Sequence, residues 1–419
     1  MAEIALQKLP LPGVSAQTGL FPHILFLFAI VLWCAAGPLV RHTGVTGLLG
    51  FTAAITLYFL VTNALYVYWS LLGFVILGIV YVVLSYADVL PDAWTIYYDR
   101  KYILSQSFFV FLIYPLVCAS KRFWLHAYES GRTDLYMGIL FFTMLGGMVW
   151  FNLSILNIGP FVFWGMQNPT SLLLLSAGYF IFIRYRKSMG ILSLCTAVLI
   201  VMLAANSQAV LVGFMLMMTG VFPGIRKILV ALVILIIFVS FVGYFFVLDL
   251  LQVDQNTAFR YLLWGDAFSG FFGSHMLGIG FGKEVVTNQY LQLGVIERYE
   301  DVGDIMKSGV HNSFIGILFR MGLAGFVLFV LFIFKTCFPF NLKKDHYARY
   351  GTFLFFIAFT AIYINVGMES PLTMVGVCTV LGYILALKRI AAYEQSIRDQ
   401  ETVGSIPGMT TFNPAGLAS

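Results

Sequence analysis

HNSFIGILFRMGLAGFVLFVLFIF, residues His311 to Phe334, carries one charged side chain, Arg320, in a run long and apolar enough to cross a bilayer. A span needs about 20 such residues. Similar runs recur on both sides of it, and reading outward gives expected spans at 20–40, 44–63, 65–87, 102–119, 135–152, 168–183, 188–205, 208–222, 228–248, 311–334, 351–368 and 371–387. The composition demands this. Of 419 residues, 60% are hydrophobic and 10% charged, and the mean hydropathy is +0.91, whereas soluble domains are about 25% charged. Too little polar surface exists to cover a water-soluble core. The expected fold class is all-α: a polytopic membrane helix bundle of about 12 transmembrane helices.

Charge placement orients the bundle. With both termini inside, the inner segments collect sixteen of the 24 Lys and Arg residues, among them Lys121, Arg122, Lys388 and Arg389. The outer segments collect seven: Arg41, Arg100, Lys101, Arg260, Lys283, Arg298 and Lys307. Basic residues are retained on the cytoplasmic side during insertion, so the bias makes both termini cytoplasmic. The domain reading follows. Residues 1–248 hold spans one to nine, 249–310 form a large outward loop, 311–389 hold spans ten to twelve, and 390–419 form a cytoplasmic tail expected to be disordered. Met1 to Pro22 is only mildly apolar and shows no cleavable-signal pattern. Within the loop, Glu297, Glu300, Asp301 and Asp304 share one helical face and Val295, Tyr299, Val302 and Met306 the other, the pattern of an amphipathic surface helix.

Several chemistries lose support. There is no Walker P-loop, GxGxxG, HExxH or DxD pair, so the sequence offers no nucleotide-binding or metal-dependent motif, and no cofactor is expected. The five cysteines form no CxxC pair, which leaves neither a disulfide framework nor a zinc site. The net charge of +5 is spread through loops rather than along a basic stripe, so no nucleic-acid partner is indicated. The bilayer is the evident partner.

The candidate chemistry gathers where outer segments meet the late spans. His311 stands at the entry of the tenth span, and an interfacial histidine serves either as a hydrogen-bonded cap or as a functional group. The spans beginning near His311 and at Pro371 both present helix N-termini outward, an arrangement suited to anions, with Ser370 as N-cap and Pro371 at N1. Glu369, in the turn before Pro371, lies on the same side as His311; it reads as a base, an orienting group or a plain acidic cap. Arg320 sits roughly 14 Å further down the helix and half a revolution round. Its cost in the membrane requires a protein or aqueous partner, structural or functional. Arg260 opens Arg260-Tyr261-Leu262-Leu263-Trp264, and Gly278-Ile279-Gly280-Phe281-Gly282-Lys283 follows; the glycines permit close backbone approach or a tight bend. Arg260 and Lys283 are the cations nearest these features.

These residues resemble the bacterial O-antigen ligase and O-antigen (exopolysaccharide) polymerase superfamily. His311-Asn312, nine residues, Gly322, two residues, Gly325 is similar to the ligase pattern H-[N/S/Q]-x9-G-x-x-[G/T/Y]. Arg260-x3-Trp264 and the Gly-Ile-Gly-Phe-Gly string look like the front of the same domain, and Asn365 to Pro371 (NVGMESP) resembles a turn common among the polymerases. The resemblance covers Asp249 to the last span. One departure stands out: many relatives carry a Ser-Arg step between spans seven and eight, where Asn206-Ser207-Gln208 has no arginine.

What the resemblance implies is a GT-C-like membrane glycosyltransferase in the bacterial inner membrane, with the large, partly helical loop in the periplasm. Its donor would be an undecaprenyl-pyrophosphate-linked glycan, its acceptor a second glycan or lipid A core, and it would use no metal; other polysaccharide-assembly proteins are possible partners. On that reading His311 and Glu369 are the catalytic candidates. Arg260, Lys283 and Asn312 are assigned to the donor pyrophosphate, and Arg320, Gly280 and Gly282 are structural or site residues. The Glu-Ser-Pro turn and the single histidine before Asn312 favour a polymerase; an O-antigen ligase is the alternative. A lipid-linked oligosaccharide transporter is a third reading, against which stand one buried arginine and one lopsided loop where transporters show repeated halves.

Overall fold

The computed structural model describes residues 20–35, 66–91, 97–155, 167–185, 255–285, 309–338, 346–364 and 367–404, with scattered positions between 50 and 61 and at 242. The expected spans at 188–205, 208–222 and 228–248, most of 44–63, and the amphipathic helix around 295–306 lie outside the described residues. The described elements are α1 (Leu20–Ala35), α2 (Trp69–Ala87), α3 (Ile103–Glu129), α4 (Thr133–Ile155), α5 (Gln167–Tyr185), α6 (Gln255–Gly273), α7 (Ser313–Val330), α8 (His346–Ile364) and α9 (Pro371–Gly404). No strand occurs among the described residues; a single bridge joins Tyr98 and Lys283.

Among the described residues four stretches are long and apolar enough to cross a membrane: Trp69–Ala87, Arg100–Glu129, Ser313–Cys337 and Thr373–Asp399. Shorter apolar helices run Phe21–Trp33, Leu172–Ile181 and Tyr350–Tyr363. The chain is an all-helical membrane protein. α2 shows why water is not its solvent. Leu71, Phe74, Gly78, Tyr81, Val82 and Ser85 are buried against the bundle, yet Ile76, Ile79, Val80 and Val83 on the far side are exposed. A helix apolar on both faces suits protein on one side and lipid on the other.

α3 and α9 form the centre. Ser120 Oγ donates to Thr379 O at 2.7 Å beside Gly382, and Trp124 lies over Tyr383 with ring centroids 4.4 Å apart. Small residues here let two backbones approach, the usual device where no hydrophobic effect drives helices together. α2 packs on α3 and α7, α5 on α4, α8 on α9, and α6 on α7.

Two boundaries differ from the sequence reading. α3 continues ten residues past the expected end of its span, and α9 runs through Gly404, so the polar segment after Arg389 is helical in its first part. Side-chain bonds explain the extension: Gln395 Nε2 donates to Asp399 Oδ1 (2.6 Å), and Tyr128 OH on α3 donates to Glu394 Oε1 (2.6 Å). Pairs four residues apart support a helix that has left the apolar core.

Contacts sort the loops by end. Ser85–Pro91, Tyr97–Gln106, Ser274–Glu284, Val310–Ser313 and Met368 are linked at one end; Tyr66, Tyr68, Lys121, Thr336, Phe338 and Lys388 meet at the other.

Candidate functional site

Asn312 begins α7 as its N-cap, with extended backbone and Oδ1 accepting from Phe314 N (3.1 Å) and Ile315 N (3.2 Å). The side chain that the sequence reading gave to the pyrophosphate therefore caps the helix. His311 precedes it in the left-handed region, φ 54°, uncommon for a residue with a Cβ. Strain of that kind needs outside support, and Val310 receives it from two sides. Trp264 Nε1 of α6 donates to Val310 O at 3.0 Å, and the Glu369 carboxylate accepts from Val310 N–H. Met368 N also donates to Ser313 Oγ at 2.9 Å, tying the 367–370 turn to the first residue of α7.

These bonds assemble the cluster. Arg260 lies one turn before Trp264 on the same face of α6, so anchoring Trp264 at Val310 brings the guanidinium to His311. Burial and the nearby Arg260 charge together push the imidazole down to about 4 from an ordinary 6.5. His311 is therefore neutral near pH 7. Burial drives the Glu369 carboxyl the other way, up to about 7, although Arg320 and the Val310 N–H favour its ionised form. Its Oε2 is enclosed and accepts no hydrogen bond among the described residues, and the carboxylate rests against Gly316, where a Cβ would collide with it. Arg260 thus stands beside His311 at the mouth of α7, and Glu369 is tied to the residue before His311 through Val310 N–H while its charge is coupled to Arg320.

Arg320, Lys283, Gly280 and Gly282 belong to a second assembly, joined to Glu369 by the charge of Arg320. α7 breaks at Gly322 (φ 65°), which releases backbone groups from the helical ladder. The 276–280 segment takes them up: Ile279 N donates to Phe319 O (2.9 Å), Gly280 N to Arg320 O (3.0 Å), and Leu323 N to Met276 O (3.0 Å). Irregular backbone at this depth is tolerated when protein satisfies it. Arg320 Nη1 donates to Gly280 O (3.2 Å) and Lys283 O (2.6 Å), a protein partner of the kind the sequence reading required. Gly282 N donates to Gln106 Oε1 at 2.7 Å, and Phe281 N to Ser85 Oγ at 2.8 Å. Lys283 is 1% exposed, its Nζ donating to Leu90 O (3.2 Å) and Pro91 O (3.1 Å). The structure does not bring Lys283 to His311.

Trp264 is the residue that sequence reading quoted without a role. Its indole N–H carries the link between α6 and His311, and its place four residues after Arg260 was the available signal. Among the described residues no group of three or more His, Cys, Asp or Glu side chains is arranged to hold a metal. Compared with protein-family models and with curated proteins, the chain matches none.

Proposed function

We propose that the chain is a membrane glycosyltransferase that takes its glycan from a polyprenyl-pyrophosphate carrier, and that it polymerises surface-polysaccharide repeat units. The observation that carries this reading is the Trp264–Val310 hydrogen bond, which sets the Arg260 cation beside a neutral His311 at a helix N-terminus. The architecture proposed with it is a twelve-span, GT-C-like bundle in a bacterial inner membrane, both termini cytoplasmic and the 249–310 loop periplasmic.

The chemistry asks for three things. As the acceptor oxygen bonds to the anomeric carbon, the bond from that carbon to the pyrophosphate oxygen breaks and negative charge grows on the leaving group. Arg260 and the α7 N-terminus answer that charge. The acceptor hydroxyl must be aligned, and neutral His311 accepts its hydrogen bond. Its proton must go to a base matched to the working pH; Glu369, near neutrality, is that base. A bound pyrophosphate also raises the His311 proton affinity, since an opposite charge favours the imidazolium.

The test is reconstitution with a lipid-pyrophosphate glycan on the face bearing His311. New glycosidic bonds are expected, His311→Ala should abolish them with insertion intact, and Arg260→Ala should weaken donor binding. Translocation of donor without any new bond would overturn the enzyme reading. Extension of a second lipid-linked unit marks a polymerase; transfer to lipid A core marks a ligase.

A further inference from the structure

Between Trp264 and Glu284 the chain leaves the mouth of α7 and returns to it, and three helices measure how far it goes. Its upper fixed point is the Trp264 indole on Val310 O. Its lower one is Met276, whose carbonyl accepts from Leu323 N at 3.0 Å. α6 and α7 pack side by side between these points. Trp264 to Gly273 on α6 and Ser313 to Gly322 on α7 are each nine residues, roughly 14 Å of helix rise. On α2, the Tyr81 hydroxyl donates to Leu277 O. Tyr81 lies six residues before the helix end at Ala87, about 9 Å, and helical side chains lean toward the N-terminus, here further from that end.

The return limb climbs past the same helix. Phe281 N donates to Ser85 Oγ at 2.8 Å, Lys283 pairs with Tyr98, and Tyr97 N donates to Glu284 Oε2 at 2.7 Å. Half of a hydrocarbon core is about 15 Å thick. A turn at the level of Gly322 therefore lies within the apolar layer that α7 crosses.

The turn is built for that place. His275 and Met276 take left-handed backbone, φ 55° and 65°, to close it. His275 N donates to Phe272 O (3.0 Å), Met276 N to Phe271 O (3.0 Å), and Leu277 N to Ser274 O (3.1 Å). Ser274 Oγ donates to Phe271 O (2.8 Å) and accepts from Gly278 N (2.9 Å). Backbone in hydrocarbon must find its partners within the protein, and this turn does. From Ala267 to Gly282 the one ionisable residue is His275. Phe272, Met276 and Leu277 are 60%, 47% and 58% exposed. They continue the exposed apolar side of α2 at Ile79, Val80 and Val83, and Leu323 of α7 is exposed beside them.

We propose that residues 264–284 form a re-entrant hairpin in the leaflet on the His311 side, and that Phe272, Met276 and Leu277 at its tip contact lipid acyl chains. Lipid is the occupant because the tip shares its depth and its apolar surface with the outer side of α2. The contact stands apart from the chemistry proposed for His311, since it needs no glycan and no catalytic group.

The test uses the full-length wild-type protein in liposomes, with two probes read by peptide mass spectrometry. One is a phosphatidylcholine carrying a photolysable diazirine at the end of an acyl chain; the other is hydroxyl radical generated in the bulk water. Carbene adducts should form on Phe272, Met276 and Leu277 with a yield within about threefold of that on Ile79 and Val83, since all face one hydrocarbon layer. Oxidation of Met276 should run about tenfold or more below that of free methionine, because that layer holds no bulk water. Oxidation of Met276 at the rate of free methionine would overturn the hairpin's depth. Adducts on α2 with none on the tip, and Met276 unoxidised, would put protein over the tip and overturn the lipid contact.

Discussion

Gly278 and Gly322 meet backbone to backbone. A Cβ built on Gly278 would run into Gly322 N, and one built on Gly322 would run into Leu277 O; both residues have positive φ, 83° and 65°. Neither contact yields, because the opposing atoms are main chain rather than flexible side chain. The break in α7 and the inward path of the 276–280 segment are therefore one feature. Gly322→Ala should cost about 1–3 kcal/mol from backbone strain alone, before the steric conflict. A lowered melting temperature and a broadened size-exclusion peak in detergent are the expected result. Wild-type stability would mean that the segment docks some other way.

Gly316 offers the contrast. There a Cβ meets the Glu369 carboxylate, the movable end of a side chain, and alanine suits the helix. Gly316→Ala should leave melting temperature near wild type while displacing the carboxylate. On the proposed reading, transfer should then fall at least tenfold, a loss of about 1.4 kcal/mol in transition-state stabilisation. Full activity would remove Glu369 from the mechanism.

Glu369 also ties stability to pH. Its carboxyl titrates at about 7 in the folded chain against an ordinary 4.5, because burial disfavours the anion. The folded state thus binds the proton more tightly than the unfolded one. The associated stabilisation is fully present below the unfolded value and is lost as pH rises through about 7. Melting temperature in wild type should fall between pH 5 and pH 8 relative to Glu369→Gln, which has no proton to lose. Parallel curves for the two proteins would show that the carboxylate is already ionised in the fold.

How much of this the sequence disclosed depends on the range of the interaction. The His311-Phe334 run announced a span, and Pro371 announced a helix start, because hydropathy and N1 preferences act within a few residues. Arg320 was placed at mid-helix by the same local logic, and its need for a partner followed from the cost of burying it. Its actual acceptors, Gly280 O and Lys283 O, lie some 40 residues away, and no local pattern encodes them. Lys283 misled for a related reason. A lysine after a glycine string looks available for an anion, but the string turns inward at Gly322 and delivers the ammonium to Leu90 O and Pro91 O. The polar run after Arg389 read as a tail because composition takes no account of Tyr128 on a neighbouring helix.

Trp264 gives the sharpest separation of position from chemistry. The indole touches no reacting group on the proposed reading; it fixes Val310 and so sets both the left-handed His311 backbone and its distance from Arg260. Trp264→Phe keeps an aromatic ring against Tyr261, centroids now 5.2 Å apart, and Tyr363, 6.4 Å apart, while deleting the N–H. A neutral hydrogen bond contributes about 1 kcal/mol, so stability should change little. Transfer should fall by about tenfold or more, as positional errors near 1 Å do elsewhere. Because His311 moves relative to Arg260, kcat should drop more than donor affinity, whereas Arg260→Ala should show the opposite split. A Trp264→Phe protein with wild-type kcat would mean that Val310 holds its place without the indole, and the link from α6 to His311 would have to run through other atoms.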